Sequence, residues 1–138
     1  MKPSILTTFV LAVMLASCST PSVDSAEAQA FAPVQGVLET NCVHCHGDNR
    51  LSTMPPINDT QALTKLIGTY WIVPGKPEMS RFFQVVTFPD EIPGAMPPSG
   101  HAISPREVGI LRDWIKAGAK VPSQNIKLHP QGPLPRSI

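Results

Sequence analysis

Cys42-Val43-His44-Cys45-His46 gathers two of the chain's three cysteines and two of its four histidines into five of its 138 residues. From the chain's own composition, the pattern C-x-x-C-H is expected about 0.002 times by chance. A zinc site would need four tetrahedral ligands; adjacent Cys45 and His46 are poorly placed to share one metal, and no second cysteine pair completes the set. A thioredoxin-like C-x-x-C asks for a βαβ context, which is absent. A plain disulfide leaves the histidine without a role. The spacing reads instead as the attachment motif of a c-type haem. Cys42 and Cys45 can each form a thioether with one haem vinyl group, and His46 can offer its imidazole to the iron from one face. His44, inside the motif, reads as a solvated side chain.

Upstream of the motif, Phe31, Val34, Leu38 and Cys42 follow helical spacing and predict a helix over about residues 32–43, with Pro33 in its first turn. Residues 19–29 are rich in Ser, Ala, Thr and Pro without apolar periodicity, so residues 18–30 read as a flexible tether. Before them, Lys2 and the apolar run Ile5–Ala16 form an export signal over residues 1–17. Twelve residues of helix span roughly 18 Å, short of the ~30 Å hydrocarbon core. Leu15-Ala16-Ser17-Cys18 resembles the lipobox of bacterial lipoproteins, which implies cleavage before Cys18 and lipidation of its thiol. Cleavage at Ala26-Glu27-Ala28 or Ala28-Gln29-Ala30 is the alternative and would release a soluble protein.

Downstream, residues 47–58 are turn-rich. Asn58 or Asp59 can cap a second helix through Tyr70, with Leu63, Leu66, Ile67 and Tyr70 on one face. Ser80 can cap a third, carrying Phe82, Phe83 and Val86. After a long loop, Ser104-Pro105-Arg106-Glu107 is a capping box with proline at the first helical position. Val108, Leu111, Trp114 and Ile115 make that helix's apolar stripe, expected to pack across Phe31, Val34 and Leu38, and Gly118 is its stop. Residues 122–138, rich in proline and without an acidic residue, read as a loosely held tail.

The composition agrees with one small domain over residues 31–121. Sixteen prolines, about twice the usual share, favour short elements joined by fixed loops. Eleven Lys and Arg against ten Asp and Glu give no electrostatic case for nucleic acid. The expected fold is all-α.

Beyond the motif itself, Asn41–Gly47, then Val73-Pro74-Gly75-Lys76-Pro77-Glu78 with Ser80, then Ala95-Met96-Pro97-Pro98, and the capped helix containing Leu111-Arg112-Asp113-Trp114-Ile115, together resemble class I mono-haem c-type cytochromes. The similarity is greatest to the planctomycete-type cytochrome c domain, and it covers roughly Phe31 to Val121. It implies three to four short helices wrapped on one covalent haem c, with long Pro-rich loops and a methionine as distal ligand. Against the pattern, the loop after Gly47 is polar.

Beyond the signal's Met1 and Met14, the candidates for the sixth iron ligand are Met54, Met79, Met96 and His101. Met54 lies eight residues after His46, and its neighbours Pro55 and Pro56 are better used as carbonyl acceptors for the His46 Nδ1–H. Met79 reads as packing at the start of the third helix. Met96 precedes two prolines in the long loop, and its placement matches the family's distal methionine. Two filled axial positions imply an electron carrier rather than an enzyme, serving a redox partner protein or an oxidoreductase. The expected location is the periplasmic side of a bacterial membrane, attached by a lipid anchor, or soluble periplasm in the alternative. The rival function is a haem enzyme or small-ligand binder with an open sixth site, in which Arg81 or His101 would serve as acid and base. Both residues read otherwise as a helix-surface charge and a loop residue.

Overall fold

The computed structural model describes residues 22–98 and 103–133; the signal segment 1–17, Cys18 and His101 lie outside the described residues. Among those described, the chain is all-α, with five helices and no strand: α1 (Val23–Asn41), α2 (Val43–His46), α3 (Thr60–Leu66), α4 (Arg81–Thr87) and α5 (Pro105–Lys116). A short 3-10 turn, Pro77–Met79, precedes α4.

α1 starts nine residues before the position expected from its apolar stripe. Ser22 caps it, its hydroxyl accepting from the Ser25 amide, and Asp24 lies in the first turn. The stretch 23–30 expected as tether is therefore helical, and Pro33 falls in the helix interior. Polar contacts, invisible to apolar periodicity, hold this extension. The Ser123 amide and hydroxyl each donate to Glu27 at 2.8 Å, and the hydroxyl also reaches Asp24.

The capping box of α5 forms as its sequence indicates: the Glu107 amide donates to Ser104 Oγ, and the Ser104 amide donates to Glu107 Oε2. Past its last turn the chain reverses at Gly118, whose φ of 102° is where a side chain would be strained. Leu111, Trp114 and Ile115 on this helix are buried with Phe31, Val34 and Leu38 of α1 in one core. The Trp114 ring meets Phe31 at 6.3 Å and Phe82 of α4 at 6.4 Å, both edge-on, while its indole N–H donates to the Lys120 carbonyl.

α3 ends at Leu66, four residues earlier than expected. Ile67 is extended, and the Thr69 hydroxyl caps the Leu66 carbonyl at 2.7 Å. Tyr70 consequently leaves the apolar face and is 65% exposed, stacked on Trp71. Ser80 stands at the cap position of α4, but its buried hydroxyl serves the preceding turn. It accepts from the Val73 amide and donates to the Lys76 carbonyl, both at 2.9 Å. That ties the Pro74–Pro77 turn to the start of α4.

The C-terminal segment through Pro133 is not loosely held. Leu128 is 2% exposed in the core; the Leu128 amide donates to the Asn58 carbonyl, and the Thr60 and Ile126 amides join this segment to α3 through Ile126 O and Thr60 Oγ1. Its anchors are spread over partners 64 to 99 positions away in sequence.

Candidate cofactor site

α2 is one helical turn that follows α1 with a single residue between them. Cys42 closes α1 by donating to the Leu38 carbonyl at 2.8 Å, and its own carbonyl accepts from the amides of Cys45 and His46. Val43 is buried and holds the turn on the core. Gly47 is required directly afterwards: a Cβ there would lie 2.5 Å from the Val43 carbonyl oxygen.

The polar loop that follows folds back on His46 twice. The Ile57 amide donates to the His46 carbonyl at 2.9 Å, and His46 Nδ1 lies 2.9 Å from the Pro55 carbonyl oxygen. A carbonyl only accepts, so Nδ1 carries a proton and, in the neutral ring, Nε2 keeps its lone pair. The proline carbonyl thus holds the ring in the tautomer a metal ligand needs.

Cys42, Cys45 and His46 line a cavity of about 480 Å³, within the range of small-molecule and cofactor sites. Its wall is mostly apolar: Ile57 from the polar loop, Leu66 at the end of α3, Trp71, and Phe82, Val85 and Val86 from α4. The loop after α4 closes it with Gly94, Met96, Pro97 and Pro98. The Met96 amide donates to the Val85 carbonyl at 2.8 Å, and the Met96–Pro97 peptide is cis.

Of the candidate sixth ligands, Met96 and Met54 both line this cavity, and each is half-buried. Met79 does not line it and is not packed in the core either, being 62% exposed. His44 also lines the cavity rather than projecting wholly into solvent, and its Nε2 lies 3.1 Å from the Gln131 carbonyl oxygen.

Arg81 is more than a helix-surface charge. It is the one Lys or Arg among the described cavity-lining residues, half-buried, with its guanidinium 5.2 Å above the Phe88 ring. The sequence offered it a place at the cofactor only in the rival open-site reading and otherwise as a surface charge; it stands one helical turn before Val85, on the same face. Asn41 and Trp71 were missed: neither lies on an apolar stripe. Asn41 lines the cavity, and its side-chain Nδ2 donates at 2.9 Å to Glu107 Oε1, so the Glu107 of the α5 capping box also braces the residue before Cys42.

The two thiols differ. Burial pushes the Cys42 thiol up to about 12, and the negative charges of Glu107 and of Cys45 when ionised act in the same direction. Cys45 is exposed, and the two sulfurs form no disulfide. Among the described residues no group of three or more His, Cys, Asp or Glu is gathered to hold a metal ion.

No protein-family model, curated protein or solved structure matches the chain.

Proposed function

We infer that the protein is an electron-transfer cytochrome carrying one covalent haem c with His46 and Met96 as axial ligands. The observation that carries this reading is the convergence of Cys42, Cys45 and His46 on one apolar cavity, with His46 Nδ1 bonded to Pro55 O and Nε2 left to bind. The donor set fits the group. Each thiol can add its sulfur and hydrogen across one vinyl double bond, a step that needs no outside oxidant. A neutral imidazole and a thioether are the donors of a His/Met site, and the apolar wall keeps water from the metal. Arg81 offers a cation in that wall for the anionic groups of the occupant.

When bound, haem supplies a one-electron ferric/ferrous couple, which His/Met ligation biases toward the ferrous state. The protein's part would be to hold the iron through His46 and Met96 and to stay rigid between the two states. His46 is held at its ring and at its backbone carbonyl, and Met96 is held by the hydrogen bond of its amide to α4. Export and lipidation at Cys18 complete the proposal, placing the domain on the periplasmic side of a membrane beside a redox partner or oxidoreductase. No helix among the described residues is long and apolar enough to cross a membrane.

The test is expression of the full chain with a c-type maturation system. Denaturing gels stained for haem should show covalent haem in the wild type and none in the Cys42→Ala/Cys45→Ala double variant. The ferric spectrum should be low-spin with a sulfur-to-iron charge-transfer band. A high-spin spectrum would favour the open-site reading, and a wild-type chain without haem would overturn both. Movement of Cys18→Ser from the membrane pellet to the soluble fraction tests the anchor.

A further inference from the structure

One buried carboxylate and the C-terminal segment stand outside that reading. Glu39, in α1 and three residues ahead of Cys42, is only 3% exposed. A carboxylate withdrawn from water must be paired or fully hydrogen-bonded. Neither ion pair found among the described residues includes it. Its Oε1 accepts instead from Gln35 Nε2 and from the His129 amide, each at 3.1 Å, and its Oε2 accepts from Gln131 Nε2. The Glu39 carbonyl accepts from the Gln131 amide at 2.9 Å. Three of these four bonds come from residues 129–131. Gln131 then turns its own carbonyl to His44, whose Nε2 donates to it at 3.1 Å. His44 is the residue between the two motif positions Val43 and Cys45 on α2.

The geometry points to Glu39 as a positioning residue: with His129 and Gln131 it latches the C-terminal segment onto α1, so that the Gln131 carbonyl holds the motif helix at His44. The role of α2 as the haem-bearing turn rests on the function proposed above; the latch itself rests on the hydrogen bonds. Its logic is geometric. α2 is a single turn and cannot hold its own shape. Its N-terminal side is continuous with α1 and its C-terminal side is tied through His46 to the polar loop. Val43 seats the turn on the core, but His44 lies on none of these ties, and the latch supplies a further point of support on its side.

The experiment is amide hydrogen exchange by mass spectrometry on the full chain after haem maturation, comparing wild type, Glu39→Ala, Glu39→Gln and a chain ending at Leu128. Glu39→Ala should accelerate exchange over residues 43–47 at least tenfold while residues 81–87 of α4 stay within twofold. Glu39→Gln keeps a carbonyl oxygen for the His129 amide, and Gln131 can turn its side-chain amide to face it, so this variant should stay within twofold of wild type throughout. The truncated chain should reproduce Glu39→Ala, and it decides the matter if Glu39→Ala does not fold. Unchanged exchange over 43–47, equal acceleration of α2 and α4, or Glu39→Gln behaving as Glu39→Ala would overturn the latch. A wild-type chain without haem would sink the functional reading, while the same exchange comparison would still decide the latch.

Discussion

The two walls of the cavity that carry the proposed axial ligands are built in different ways. On one wall, His46 is fixed by bonds to Pro55 and Ile57, both within eleven positions of it in sequence. On the other, Met96 is fixed through its backbone amide to Val85, and among the described residues no hydrogen bond reaches its thioether. A short polar loop can orient an imidazole because directed hydrogen bonds specify an angle as well as a distance. A thioether has no comparable handle, so its position depends on how α4 and the following loop sit on the core. Val85 is also eleven positions from Met96, so the walls differ in what is tied rather than in the span of the tie. The first is local because its own loop orients the donor ring; the second is tertiary because the docking of α4 and the following loop places the donor side chain.

Met96→Ala is the sharpest way to break that comparison. It should abolish the sulfur-to-iron charge-transfer band and lower the reduction potential, both read by spectroelectrochemistry. Met54→Ala, on the other methionine lining the cavity, should leave the band intact. If Met54→Ala removes it instead, both axial ligands belong to the local wall and the assignment of Met96 is wrong.

Both walls share one support. Trp114 touches Phe31, on the helix that leads into the motif, and Phe82, on the helix that leads to Met96. At 9% exposure it is a core side chain, so Trp114→Ala should cost about 3–5 kcal/mol. Urea unfolding of the haem-loaded protein measures it. A loss below about 0.5 kcal/mol, the range of a typical surface substitution, would mean that the walls are supported separately.

Within the local wall, the two thiols should react unequally before haem is attached. The Cys42 thiol, pushed up to about 12, is almost wholly protonated at pH 8, and its alkylation should rise about tenfold per pH unit from there. Cys45 is exposed and should be modified first. Iodoacetamide labelling followed by peptide mapping reads the ratio; equal rates at pH 8 would show that Cys42 is open to solvent.

The smallest effect concerns the rear of the polar loop. Asp48 is held below the ordinary carboxyl range by its hydrogen bonds from Lys127 and Asn58. A depressed carboxyl contributes its stabilisation above the unfolded value, about 3.9, and loses it as pH falls through the lower folded value. Limited proteolysis with pepsin should therefore find the segment around Lys127 slightly more open at pH 2.5 than at pH 4. Because the pair is exposed, added salt should shrink the difference.

The residues proposed to carry chemistry stand out in the sequence because their pattern is local. C-x-x-C-H needs only one turn of helix, and the capping box of α5 needs only four residues, so each works the same way wherever the turn is placed. The expectation that a carbonyl of Pro55 or Pro56 would meet His46 belongs to the same class, a short loop closing on its own start. The two ends of the described chain were misjudged for the opposite reason. Residues 23–30 and 122–133 have no apolar stripe to announce them, and each is ordered partly by the other, through Ser123 with Asp24 and Glu27. The early stop of α3 and the buried hydroxyl of Ser80 are likewise decisions of the surroundings, since the same side chains could have capped or continued a helix. Sequence by itself determined the donors, their spacing and the helical class, because covalent geometry and helical period dictate those. Tertiary structure alone decided that Glu39 is buried and that the last residues turn back to the motif, and it moved Arg81 from a surface charge to the cavity wall. Those outcomes depend on hydrogen bonds and packing between residues tens of positions apart, which no local pattern encodes.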